Sequence, residues 1–204
     1  MELINIILKQ KKGLSIPELL IGITITGFIS LSIYSVFFAH QRIYFNQDAL
    51  IGIETQNKLA LDEITRYSRE GLQFSSAINW NSPAIGFKLL PLDPNGNPYS
   101  PGFFDHAIFE FDSVNKNIKE YGAADEPTQT SRSLMKLTSP RIIARGVTAF
   151  SVTYPDVCPS PCSTMDRRKY LTSYQAILTI TTEAKTVFGK TFTSTKTATI
   201  NLKY

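Results

Sequence analysis

At 204 residues and a formal charge of +4, the chain has room for one membrane segment and one domain of ordinary size with its own core. Lys9, Lys11 and Lys12 outweigh Glu2 near the start, so half of the positive excess flanks an apolar run. The pI near 9.0 therefore does not describe a nucleic-acid surface. Two histidines, His40 and His106, with no Gly-rich phosphate loop ahead of a helix and no metal-binding cluster, argue against an enzyme and against a bound cofactor.

Residues 1–13 carry their apolar part, Leu3 to Leu8, ahead of the charges, the reverse of a secretory signal peptide, and no small-residue cleavage site follows the long apolar run. They read as a cytoplasmic leader or a simple anchor flank. Residues 14–39, Leu14 to Ala39, are mostly apolar and long enough to cross about 30 Å of hydrocarbon as a helix. The lysines place the amino end in the cytoplasm and the remainder outside. Glu18 is the ionised side chain of this run. A carboxylate there costs about 3 kcal/mol on insertion scales, so it is a functional candidate whose partner must be found.

Residues 40–74 turn amphipathic: Ile43, Leu50, Ile53, Ala60, Leu61, Ile64 and Tyr67 recur at threes and fours with charges between them. No proline interrupts Glu18 to Ser82, so one helix can run from the membrane to Gly71. The stripe predicts a core-facing surface, with a coiled coil to another subunit as the alternative. Ser82 to Gly102 holds enough Pro, Gly and Asn to predict a loop. Within it, Asp93, Asn95 and Asn97 resemble a calcium loop only superficially, because Gly96 is out of register and Phe103 stands where an acid is needed. Turn chemistry is the preferred reading.

Phe103 to Asp112 alternates, with Ala107, Phe109 and Phe111 on one face and His106, Ile108, Glu110 and Asp112 on the other. With the return at Ile118 to Tyr121 it predicts a hairpin. Gly122 to Arg132 reads as polar and exposed. Ile142 to Tyr154 continues the sheet, and Ser173 to Glu183 with Thr191 to Tyr204 forms a second, Thr-rich hairpin around Val187 to Lys190, its threonines on a solvated face. The fold class that follows is α+β: a long N-terminal helix, half membrane segment and half amphipathic, packed on an antiparallel β-sheet of about four to six strands in residues 75–204.

The chemistry in the outer part is sparse. Asp105 and His106 are adjacent in a strand and so point to opposite faces, which leaves His106 structural or exposed. Arg167-Arg168-Lys169 predicts a solvated loop, with phosphate attraction as the alternative. Cys158 and Cys162, in Cys-Pro-Ser-Pro-Cys, lie in the part that topology places in an oxidising compartment. A disulfide there would stiffen a loop, with free thiols or, least favoured, a metal as alternatives.

Lys12-Gly13-Leu14-Ser15-Ile16-Pro17-Glu18-Leu19-Leu20 resembles the amino end of the type IV pilin and pseudopilin class, in which a basic leader ends in glycine and the mature chain has glutamate at its fifth position. The resemblance implies that a prepilin peptidase cuts between Gly13 and Leu14 and that the new amine of Leu14 is methylated. It also implies a pilin-like fold in which Glu18 serves assembly. Two residues depart from the pattern: Leu14 stands where phenylalanine is usual, and Pro17 where an aliphatic residue is commoner. Downstream, Phe104 to Asp112, Gly146 to Tyr154 and the closing strands are similar to the minor pilins called PilW and the minor pseudopilin GspJ. Such a chain would help initiate or assemble a type IV pilus or related filament. The alternatives are a minor pseudopilin of type II secretion and a tip-exposed adhesive or DNA-uptake module. Its implied partners are other minor and major pilins, the peptidase, the inner-membrane assembly platform and inner-membrane lipid, with nucleic acid the least favoured. Its implied location is a single pass of the inner membrane, the C-terminal domain outside.

Overall fold

After Pro17 no proline occurs until Pro83, and the chain runs through Gly22, Gly27 and Gly52 as one continuous helix, α1, Ile16–Glu70, which ends before Gly71. The computed structural model describes residues 15–78, 82–99, 102–125, 130–136, 139–155 and 173–202. These fall into two compact units, Met1–Phe45 and Asn46–Tyr204.

The first unit is the amino part of α1, long and apolar enough to cross a membrane. Its large side chains from Ile16 to Phe38 are exposed. Three hydroxyls among them turn inward on their own backbone: Thr24 Oγ1 donates to the Leu20 carbonyl at 2.7 Å, Thr26 to Gly22 at 2.8 Å and Ser32 to Phe28 at 2.9 Å. A hydroxyl satisfied in this way can be placed in hydrocarbon without an orphan donor.

In the second unit, α1 buries Ile53, Asn57, Ala60, Leu61, Ile64, Tyr67 and Ser68. The core-facing reading of the stripe holds from Ile53 onward, whereas Ile43 and Leu50, its first members, are exposed. The strands are β1 (Gln73–Phe74), β2 (Ala84–Leu89), β3 (Asp105–Asp112), β4 (Asn117–Ala124), β5 (Arg141–Arg145), β6 (Val147–Thr153), β7 (Gln175–Lys185) and β8 (Thr191–Asn201), with a short 3₁₀ turn at Ser133–Lys136. They form two antiparallel sheets, a five-stranded β1-β2-β3-β4-β5 and a three-stranded β6-β7-β8. The architecture is α+β, as the sequence predicts.

One expected sheet is thus two, and the physical cause is Gly146. It takes φ +68 between β5 and β6, and a Cβ there would stand 2.8 Å from the Glu183 carbonyl oxygen. The Glu183 N–H donates to the Gly146 carbonyl at 2.8 Å, so the chain turns sharply out of the first sheet and at once pairs with β7 in the second.

The two sheets and α1 share one core. Tyr67 of α1 meets Phe109 of β3 at 5.7 Å between ring centroids, Phe111 stacks on Phe150 of β6 at 6.4 Å, and Phe74 meets Tyr154 at 5.1 Å. The opposite face of β3 is also covered. Ile108, expected on a polar face, is buried, because the chain after β1 lies over β2: a Cβ on Gly86 would sit 2.7 Å from Ile78 and 2.9 Å from Ser75. Close approach of that segment demands glycine.

Two other expectations need correction. Ser82 to Gly102 contains β2, since the breakers Pro83 and Pro91 flank Ala84–Leu89 and leave it free to pair with β3. The remainder is a turn as expected: Asp93 Oδ1 accepts from the N–H groups of Asn95 and Asn97 at 2.9 and 2.8 Å. These hydrogen bonds hold the Asp93 carboxyl below its usual range, the N–H of Asn97 contributing most. Gly122 to Arg132, expected exposed, includes buried Thr130 and Arg132.

Each sheet has an edge strand beside α1, and adjacent helix residues each bind one backbone group of it. The Arg145 N–H of β5 donates to Gln56 Oε1 at 3.0 Å, and Asn57 Nδ2 donates to the Ser194 carbonyl of β8 at 3.1 Å.

Candidate functional site

The first turn of α1 is built on Ser15. Its carbonyl accepts the first helical bond, from Leu19 N at 3.1 Å, and Glu18 folds back so that Oε2 accepts from Ser15 N at 2.9 Å and from Ser15 Oγ at 2.8 Å. This is the returning half of a capping box: a carboxylate three residues into the helix satisfies the N–H of the capping residue. Pro17 fits beside it, because a missing N–H is harmless in a first turn, where no intrahelical acceptor exists.

The capping pattern Ser15-x-x-Glu18 is legible in the sequence, and it supplies the partner that Glu18 needs among the described residues. Gly13 and Leu14, the expected cleavage pair, lie outside the described residues, as do Cys158, Cys162 and Arg167 to Lys169. Below Glu18, Gly22, Thr26 and Ser30 follow at four-residue intervals along one side of the helix, all exposed.

In the second unit, polar groups that are distant in sequence meet in three places. Arg132, 8% exposed, donates through Nη1 to Glu70 Oε2 at 2.7 Å, through Nε to buried Asp105 Oδ2 at 3.3 Å and through Nη2 to the Leu90 carbonyl at 2.9 Å. Thr130 Oγ1 also donates to Asp105 Oδ2, at 2.7 Å. This arrangement ties the carboxyl end of α1 to the ends of β2 and β3.

Arg141 of β5 bridges Glu63 of α1 and buried Glu120 of β4, its Nε at 2.7 Å from Glu120 Oε2. Burial opposes the charge on the guanidinium, but the two carboxylates more than offset it and raise its pKa. The same neighbourhood pushes the Tyr67 phenol up to about 12, first through burial and then through the charge of Glu120.

The third meeting brings Ser75, His106 and Asp125 into a row, with Ser75 Oγ 2.8 Å from His106 Nδ1 and His106 Nε2 3.4 Å from Asp125 Oδ1. The residue types are those of a nucleophilic triad, but the geometry is structural. Ser75 is fully buried, and its oxygen accepts from the Ala77 N–H at 3.0 Å, so the hydroxyl faces protein on each side rather than a substrate. The row pins the segment after β1 to β3. Asp105, next to His106, points to the opposite face toward Arg132, as strand alternation predicts.

Among the described residues, no group of His, Cys, Asp and Glu side chains is arranged to hold a metal. Sequence reasoning did not find Arg132 or the Ser75–His106 contact, because each pairs residues far apart in the chain. Comparison of the chain with protein-family models, with curated proteins and with solved structures finds no match in any of the three.

Proposed function

We propose that the chain is a minor pilin or pseudopilin, a non-catalytic subunit that helps to initiate or assemble a type IV pilus or related filament. The observation that carries this reading is Glu18 at the head of an exposed apolar helix, one turn after the Gly13-Leu14 pair and joined by its carboxylate to Ser15. A long helix seated on antiparallel sheets is compatible with a pilin-like fold.

Hydrolysis after Gly13 would convert the Leu14 amide nitrogen into an ammonium group, one residue from the N–H that already touches Glu18. The carboxylate can then exchange a neutral partner for a charged one, in its own chain or in a neighbour packed along Gly22, Thr26 and Ser30. Methylation of the amine leaves its charge in place. In this reading the amino end faces the cytoplasm, the second unit lies outside the inner membrane, and the partners are the prepilin peptidase, the assembly platform and other pilins.

Mass spectrometry of the mature amino terminus tests the proposal. The expected product begins at Leu14 and carries one added methyl group; an intact Met1, or a cut elsewhere, overturns it. Glu18→Ala is expected to leave cleavage intact and to impair incorporation into filaments, read by piliation or secretion in a strain carrying only that variant.

A further inference from the structure

The second unit has a distinctive end. Two hairpins point away from the carboxyl end of α1. The β3–β4 turn exposes Val114 at 88%, and the β7–β8 turn exposes Val187 at 85% together with Phe188. They radiate from one corner: the Val147 N–H donates to the Lys116 carbonyl at 2.9 Å, and the Glu183 N–H to Gly146 at 2.8 Å. Beside the apolar tips stand Lys116, Lys119, Arg145, Lys185 and Lys190, against the carboxylates Asp112 and Glu183. Asp112 is already engaged by Lys119 at 2.6 Å.

The direction of this end follows from pairings within the unit. Ser194 of β8 is held by Asn57, and Leu202 lies against Gly71, so β8 runs parallel to α1 and its hairpin lies on the amino side of Asn57. From Ser194 to Phe188 the strand and turn reach roughly 15–20 Å, at about 3.3 Å per residue. From Asn57 back to Asn46 the helix rises about 16 Å. The β7–β8 tip therefore reaches the level of Asn46, and the β3–β4 turn lies on the same side, a few residues beyond the Asn117–Arg145 pair that Gln56 holds.

We infer that the turns at Val114 and Val187–Phe188 dock on the surface of the membrane that holds α1, with Lys116, Lys185 and Lys190 contacting anionic lipid headgroups. Exposed Val and Phe flanked by lysines match the interfacial chemistry of such a surface, apolar at acyl depth and negative above it. The inference rests on the membrane-anchoring part of the proposed function.

The full chain incorporated into vesicles of phosphatidylcholine, with or without phosphatidylglycerol, separates the two ideas. Flotation through a density gradient at high salt reports the anchor, and amide exchange at residues 112–117 and 183–191 reports the tips. The expected result is flotation with both lipids and slowed exchange at both turns only with phosphatidylglycerol. Lys185→Glu with Lys190→Glu should restore the exchange, each lost lysine weakening docking about fivefold. Flotation without slowed exchange, or slowing indifferent to lipid charge, overturns the docking inference and leaves the anchor standing. Failure to float overturns both.

Discussion

The two parts of α1 share one backbone and differ in how their polar groups are satisfied. Between Ile16 and Phe38, Thr24, Thr26 and Ser32 each bond their own helix. From Gln56 to Glu70 four polar side chains reach other elements: Gln56 and Asn57 bind one backbone group each on two edge strands, Glu63 meets Arg141 and Glu70 meets Arg132. The first part is suited to a medium that offers no hydrogen bonds, the second to a particular protein surface.

The sharpest way to break this comparison is to remove one long-range tie. Arg132→Ala leaves Asp105 buried without its cation and is expected to destabilise the second unit by about 3–5 kcal/mol, measured by urea unfolding. Gly146→Ala should cost less, on the order of 2 kcal/mol, because it strains a left-handed residue and presses on the Glu183 carbonyl. Its readout is the same unfolding midpoint.

A pH scan sharpens the contrast next. Tyr67 and Tyr121 both have phenols pushed up to about 12, principally by burial, with Glu120 and Glu110 respectively adding to it. A raised folded pKa means the folded state retains a proton that the unfolded chain loses near pH 10. Stability is therefore complete below about pH 10 and falls as the pH rises toward 12. Tyr67→Phe should flatten that alkaline loss in a thermal-unfolding series. The smallest effect is expected in the first part of α1, where Ile25→Ser should leave the unfolding of the second unit within about 0.5 kcal/mol of the parent.

Much of the fold was legible because its signals are local. The stripe from Ile53 to Tyr67, the two hairpins, the turn at Asp93 and the stop before Gly71 each depend on residues a few positions apart. β2 was obscured because its prolines were read as part of the segment rather than as its borders, and Ile108 because alternation cannot say that a second layer covers the other face. At the candidate site Glu18 stood out by its charge, while its bond to Ser15 needed only the spacing of a capping box.

By itself, then, the sequence determined one helix of two characters with an acid at its head, and an antiparallel β domain after it, because periodicity and charge placement act within a few turns or strands. Tertiary structure alone decided the split into two sheets at Gly146, the bonds from Gln56 and Asn57 to an edge strand of each sheet, and the burial of Arg132 beside Asp105. Those features join residues scores of positions apart, and no local pattern encodes which distant groups must meet once water is removed from between them.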